Sequence, residues 1–161
     1  MSENRFTLLR TGEVRPGRVK VPPAFAVKVR ADDVEGRFSL LEVTVARPIP
    51  MHRHEWADEY VYVLEGELAA EYGGEVHIVR AGESVFLPKG ELHALRSAGE
   101  RPPRVIQVSS PGGWECFVED LVEAGPVTAG GAFDPVRLNE IGAKYGMRYL
   151  VPGEEEPVGT A

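Results

Sequence analysis

The sequence predicts an all-β core followed by short C-terminal helices, and three observations predict it. From Phe6 to Ser109 the chain alternates short apolar or alternating runs with Gly, Pro and acidic breaks, which is the punctuation of strands and not the 3.6-residue period of helices. Gly73-Gly74 falls between two such runs, where glycine freely supplies the positive φ that a two-residue hairpin loop needs. Beyond the breaker cluster Ser110-Pro111-Gly112-Gly113 the pattern changes: Trp114, Phe117, Val118, Leu121 and Val122 recur at spacings of three and four, as on one helical face.

In chain order, the candidate strands are Phe6–Arg10, Ala24–Arg30, Arg37–Ala46, Glu59–Glu65, Glu67–Tyr72, Glu75–Arg80, Ser84–Leu87, His93–Arg96 and Arg104–Ser109. Pro22-Pro23 and Pro102-Pro103 read as strand boundaries, because proline cannot donate to a ladder. Gly125 to Phe133 is loop-like, and Asp134 then offers an N-cap with Pro135 at the first helical position. That second helix runs through Leu138 and Ile141 towards Tyr145 and ends near Gly146, its apolar residues packing on the core. The tail from Pro152 is polar and proline-containing, which predicts disorder. The expected organisation is one domain: an N-terminal arm (1–23), a β core (24–110), a helical extension packed on it (111–150) and a disordered tail (151–161).

A net charge of −7 argues against a nucleic-acid binder and leaves a small molecule as the expected partner. The charge is uneven. Residues 1–30 hold seven Lys/Arg against Glu3 and Glu13, a local +5, so the remainder carries −12. Such an arm can contact the acidic body or another subunit, but charge runs usually stay solvated, and a solvated arm is the expectation. Cys116 is the single cysteine, so neither an intrachain disulfide nor a multi-cysteine zinc site can form. The first residues lack a signal-like apolar stretch and no run approaches a membrane span, so a cytoplasmic location and no membrane contact are expected.

The stretch Met51 to Gly66, MHRHEWADEYVYVLEG, places His52, His54 and Glu59 within eight residues. On a strand the His-x-His spacing puts both imidazoles on one face, with Cα atoms roughly 7 Å apart. Glu59 shares the parity of Val61 and Val63, so if those valines are buried it is too, and a buried carboxylate needs a partner. A second stretch, Gly82 to Ser97, carries His93 just after a Pro-x-Gly turn, with the parity of Leu95. Singly these signals are weak: a lone His-x-His more commonly marks two surface histidines, and buried glutamates also pair with arginines. Asp58 competes with Glu59 for the carboxylate role on proximity alone.

These two stretches resemble the paired motifs of the cupin superfamily, in particular small single-domain cupins similar to quercetin dioxygenase. The first reads His-x-His, four residues, Glu59, six residues, Gly66; the second reads Gly82, five residues, Pro88, one residue, Gly90, two residues, His93. Two positions depart from the family's usual pattern: Ala46-Arg47-Pro48 stands where a glycine commonly opens the first motif, and Ser97 where asparagine often closes the second. Neither is a ligand position. The resemblance implies a double-stranded β-helix, the jelly-roll barrel, with His52, His54, Glu59 and His93 holding one divalent transition metal ion: Fe, Ni, Mn, Cu or Zn. It chooses Glu59 over Asp58.

By the same resemblance the leading functional expectation is a mononuclear-metal oxygenase acting on an aromatic or polyketide-like small molecule, with Glu59 as both ligand and general base. The alternatives are a non-oxidative isomerase, lyase or cyclase on the same metal, or a small-molecule-binding cupin. A regulatory cupin fused to a DNA-binding motif is not expected, since 161 residues leave no room for one. Family habit also implies a homodimer, with Phe6–Arg10 as a strand for exchange. Of the remaining residues, His77 reads as an ordinary strand histidine and Cys116 as a small hydrophobe. Trp56 is expected to line the mouth or cover the barrel end, and Tyr60 and Tyr62 to pack on the outer face. Val61, Phe86, Leu95 and Gln107 are the expected pocket liners.

Overall fold

The computed structural model describes residues 5–154. The expected disordered tail lies mostly outside them. Ten strands form two five-stranded antiparallel sheets. The strands, in chain order, are β1 (Phe25–Val29), β2 (Ser39–Thr44), β3 (Ile49–His54), β4 (Asp58–Glu65), β5 (Glu67–Tyr72), β6 (Glu75–Arg80), β7 (Ser84–Leu87), β8 (His93–Ser97), β9 (Arg104–Ser110), the two-residue pair β10 (Thr128–Ala129) and β11 (Ala132–Phe133), and β12 (Met147–Tyr149). The first sheet has the order β1-β2-β9-β4-β7 and the second β12-β3-β8-β5-β6, with β10 and β11 forming a small hairpin of their own. Non-consecutive neighbours in both sheets are the signature of a jelly roll.

The sheets meet through their apolar faces. Val27, Leu41, Val43, Val61, Val63, Val105 and Leu87 of the first sheet share one buried cluster with Leu68, Ala70, Val79 and Leu95 of the second. Strand β4 shows how sequence dictates this: Glu59, Val61 and Val63 are buried while Tyr60 and Tyr62 are exposed, a strict period of two. The hairpin between β5 and β6 turns on Gly73 and Gly74 at φ 61° and 79°, as the sequence predicts.

Helix α1 (Trp114–Ala124) and helix α2 (Pro135–Gly142) follow the barrel. Asp134 caps α2, its side chain accepting the Val136 N–H at 3.0 Å, with Pro135 in the first turn. Phe117, Leu138, Met147 and Tyr149 form a second buried cluster with Ile49 of β3 packed against it, so the helices pack against β3 and β12.

Several expectations need correction. Phe6–Arg10 is not a strand, and Phe6 is exposed. The arm is not simply solvated: Arg15 pairs with Asp33 of a 3-10 turn (Ala31–Val34), its backbone N–H donates to Val27 O at 2.8 Å, and Arg18 bonds Asp120 and Glu123 of α1. Gly17 makes this docking possible, because a Cβ there would lie 1.7 Å from Glu119 Oε1. The inner face of α1 is also more polar than its spacing implies. Glu115 and Glu119 are each 1% exposed, whereas Val122 is outside. Glu119 is held by Arg30 at 2.8 Å and by the Arg18 N–H at 3.1 Å, and Glu115 accepts the Ala31 N–H at 2.7 Å. Strands β3 and β12 and the β10–β11 hairpin have no counterpart among the candidate strands. Among the described residues no helix is long and apolar enough to cross a membrane.

Candidate metal centre

His52, His54, Glu59 and His93 come together between the sheets, one potential ligand atom from each lying within 4.8 Å of the others, and all four are buried. The two sheets supply them from facing rows. Across the second sheet, Tyr149, His52, His93 and Tyr72 are successive cross-strand partners, with His54 opposite Met147 one step along β3. Across the first sheet the row is Ser39, Ser109, Glu59 and Leu87. The carboxylate thus arrives from the opposite wall to the imidazoles. The turn before His93 is tied to the first motif: Gly90 N–H donates to His54 O at 2.7 Å and Lys89 N–H to Asp58 Oδ1 at 2.9 Å. Asp58 therefore caps this turn, leaving Glu59 as the inward carboxylate.

The hydrogen bonds around the cluster leave its ligand atoms free to converge. His52 Nδ1 lies 2.8 Å from Pro50 O and His93 Nδ1 3.1 Å from Glu91 O. A carbonyl can only accept, so Nδ1 carries the proton in both rings and the Nε2 lone pairs face inward. There His52 Nε2 and His54 Nε2 stand 3.2 Å apart, and Glu59 Oε2 lies 3.1 Å from His54 Nε2 and 3.3 Å from His93 Nε2. Glu59 Oε2 and His93 Nε2 are nevertheless orphaned, because close approach without donor alignment is not a hydrogen bond. Four buried ligand atoms pointing at one place, two of them unpartnered, fit a cation. Atoms bound to one ion at roughly 2.0–2.2 Å stand at most about 4.3 Å apart, so the cluster needs to close only slightly around it.

Charge states agree with that fit. Burial drives the His52 pKa well below its ordinary value, with the neighbouring His93 and His54 adding to the effect, so this ring is held neutral. Neutral imidazole is the form that binds a metal.

One residue of the site escaped the sequence reading. Tyr149 stacks on His52 with ring centroids 4.9 Å apart and planes at 17°. Asn139 of α2 grips its backbone on both sides, donating to Tyr149 O at 2.8 Å and accepting from Tyr149 N–H at 2.7 Å. The only local signal is Met147-Arg148-Tyr149, an alternation three residues long. Of the expected liners, Val61, Leu95 and Gln107 are buried, but Phe86 is 61% exposed: it pairs with Tyr60 and shares that outer face. His77 is on the exposed edge strand β6, apart from the cluster. Trp56 is exposed and lies against Gly146. Burial, reinforced by the charge of Glu115, raises the Cys116 thiol pKa, which suits the inert role expected of it. A cleft of about 950 Å³ runs between the arm and β1 and does not include the cluster.

Comparison with known proteins adds family context. A family profile described as a cupin domain matches residues 40–109, which contain all four clustered residues. The tetracenomycin polyketide synthase protein TcmJ of Streptomyces glaucescens is 30% identical over 71 residues, 44% of this chain and 48% of that protein. The chain thus spans about half the length of TcmJ. Protein SchB of Streptomyces halstedii is 31% identical over 108 residues, 66% of this chain and 78% of its own. Among solved structures, the polyketide cyclase RemF from Streptomyces resistomycificus aligns at a TM-score of 0.52 and 27% identity, covering 65% of this chain and 79% of that one.

Proposed function

The chain belongs to the cupin family, and from that premise we propose that it is a metal-dependent enzyme acting on a polyketide-like molecule, with non-oxidative cyclisation as its reaction. The observation that carries the metal is the convergence of His52, His54, Glu59 and His93 with orphaned ligand atoms. The substrate class and reaction draw support from the likeness to TcmJ and to the polyketide cyclase RemF.

A divalent ion held by these four side chains would supply Lewis acidity, polarising a carbonyl oxygen. The chain's own groups do the rest. In this reading Glu59 takes a proton from a carbon flanked by two carbonyls and returns it to the oxygen of the carbonyl that is attacked as the new carbon–carbon bond forms. The surrounding Val61, Val63 and Leu95 are all buried and keep water from the reacting carbons. Tyr149 stacks on the face of the His52 ring.

The oxygenase reading implied by the quercetinase-like motifs is the second hypothesis. What favours it is the donor set itself: three imidazoles and one carboxylate suit redox-active ions as well as zinc. One experiment separates the two. Metal-loaded protein is given a linear poly-β-ketone under strict anaerobiosis and in air. Equal turnover supports cyclisation, whereas turnover that requires dioxygen replaces it with the oxygenase.

A further inference from the structure

Gln107 is a polar side chain of the barrel interior that the metal centre does not use. It is 3% exposed, and neither Oε1 nor Nε2 has a hydrogen-bond partner in the protein. Its cross-strand neighbours on β9 are Leu41 of β2 and Val61 of β4, both fully buried. A primary amide offers two donors and an acceptor oxygen, and leaving all of them unpaired among aliphatic side chains is unfavourable. Leucine or methionine would fill nearly the same volume without that penalty.

Register places this amide beside the chemistry. Strand β4 pairs Glu59 with Ser109 and Val61 with Gln107, so Gln107 is the diagonal inner-face neighbour of Glu59, about 7–8 Å away along the sheet. Further along the same inner face, Ser39 Oγ and Ser109 Oγ bond each other at 2.9 Å. A molecule with one oxygen at the four-residue cluster can therefore present a second, a few bonds further on, to Gln107.

The charge of the interior narrows what that second group is. Among the described residues no lysine or arginine is buried, and the charged side chain at the cluster is Glu59. A carboxylate or phosphate at the far end of the ligand would meet no cation, while a neutral amide suits a hydroxyl or a ketone oxygen.

We propose that Gln107 is the substrate-reading residue of this site, hydrogen-bonding a neutral hydroxyl or ketone oxygen of an uncharged, poly-oxygenated small molecule whose other oxygen lies at His52, His54, Glu59 and His93. The inference rests on the metal-centred reading above.

The test is a binding cycle with two probes, 2,6-dihydroxyacetophenone and 2-hydroxyacetophenone, which differ by one hydroxyl. Affinities are measured by calorimetry for the wild type, Gln107→Leu and Gln107→Met, each with and without zinc, and metal content is measured on the same samples. The wild type is expected to prefer the dihydroxy probe about tenfold, the size of one well-made hydrogen bond, and both variants to lose that preference while keeping their metal. A preference that survives in the variants, or that the wild type lacks, overturns the inference. Thermal melting of the ligand-free proteins supplies a second readout: Gln107→Leu or Gln107→Met is expected to melt at or above the wild type. If both melt lower, the amide is paired within the protein and the inference fails. A wild type that holds no zinc yet keeps a Gln107-dependent preference sinks the metal reading alone, and zinc binding without the preference sinks this one alone.

Discussion

Tyr149 lies nearly parallel to the imidazole of His52, 4.9 Å between centroids, and the two are direct cross-strand partners on β12 and β3. A three-residue strand from the end of the helical extension thereby becomes part of the candidate metal centre. Asn139 ties it down through both backbone groups of Tyr149. Burial and the charge of Glu59 push the tyrosine pKa upward, so its hydroxyl stays protonated.

Removing the ring is therefore expected to cost both stability and metal affinity. Tyr149→Ala should lose about 3–5 kcal/mol of folding stability, as buried aromatic truncations do, and weaken metal binding about 10–100-fold, as loss of an outer partner does. Tyr149→Phe keeps the stack and should hold metal as the wild type does. Denaturant melts and zinc competition titrations check this, and a Phe variant as impaired as the Ala variant would show that the hydroxyl, not the stack, matters.

Glu59 joins the imidazoles from the opposite sheet. Glu59→Gln keeps the shape and removes the charge, so zinc affinity should fall more than the roughly 10–100-fold of an outer-partner loss, because a ligand is removed and not its support. Paired elemental analysis with His52→Ala/His54→Ala should find both variants depleted; wild-type metal content in either would remove that residue from the ligand set.

The arm should undock in acid. The Arg15 side chain holds the Asp33 carboxyl below its ordinary 3.8, and although burial pushes Asp120 upward, Lys144, Tyr145 and Arg18 outweigh it and lower its pKa too. A carboxyl with a depressed folded pKa binds fewer protons than its undocked form, so its contribution is complete above the ordinary value and is lost as the pH falls through and below 3.8. Hydrogen-exchange protection of the Arg15 and Arg18 amides, corrected for intrinsic rates, should be retained above pH 3.8 and collapse as the pH falls below it, while that of β4 persists. Equal loss in both would mean global unfolding and not release of the arm.

By itself the sequence determined most strands of the two sheets and the four residues that cluster between them, because both rest on short-range rules. Alternation along β4 assigns Glu59, Val61 and Val63 to one face whatever lies opposite, and glycine at 73 and 74 specifies its turn locally. The spacings around His52, His54, Glu59 and His93 are likewise readable in one dimension. What only the tertiary structure decided is everything set by a partner distant in sequence. The four-residue strand β7 is too short for alternation to choose a face, and pairing with Tyr60 turns Phe86 outward. Glu115 and Glu119 are buried because the Ala31 N–H, Arg30 and the arm meet them across more than eighty residues. Tyr149 reaches His52 only because α2 sets β12 against β3, and Gln107 is left unpaired only because Leu41 and Val61 flank it. Periodicity tells which way a side chain points; what it meets there depends on packing between segments that the local pattern does not encode.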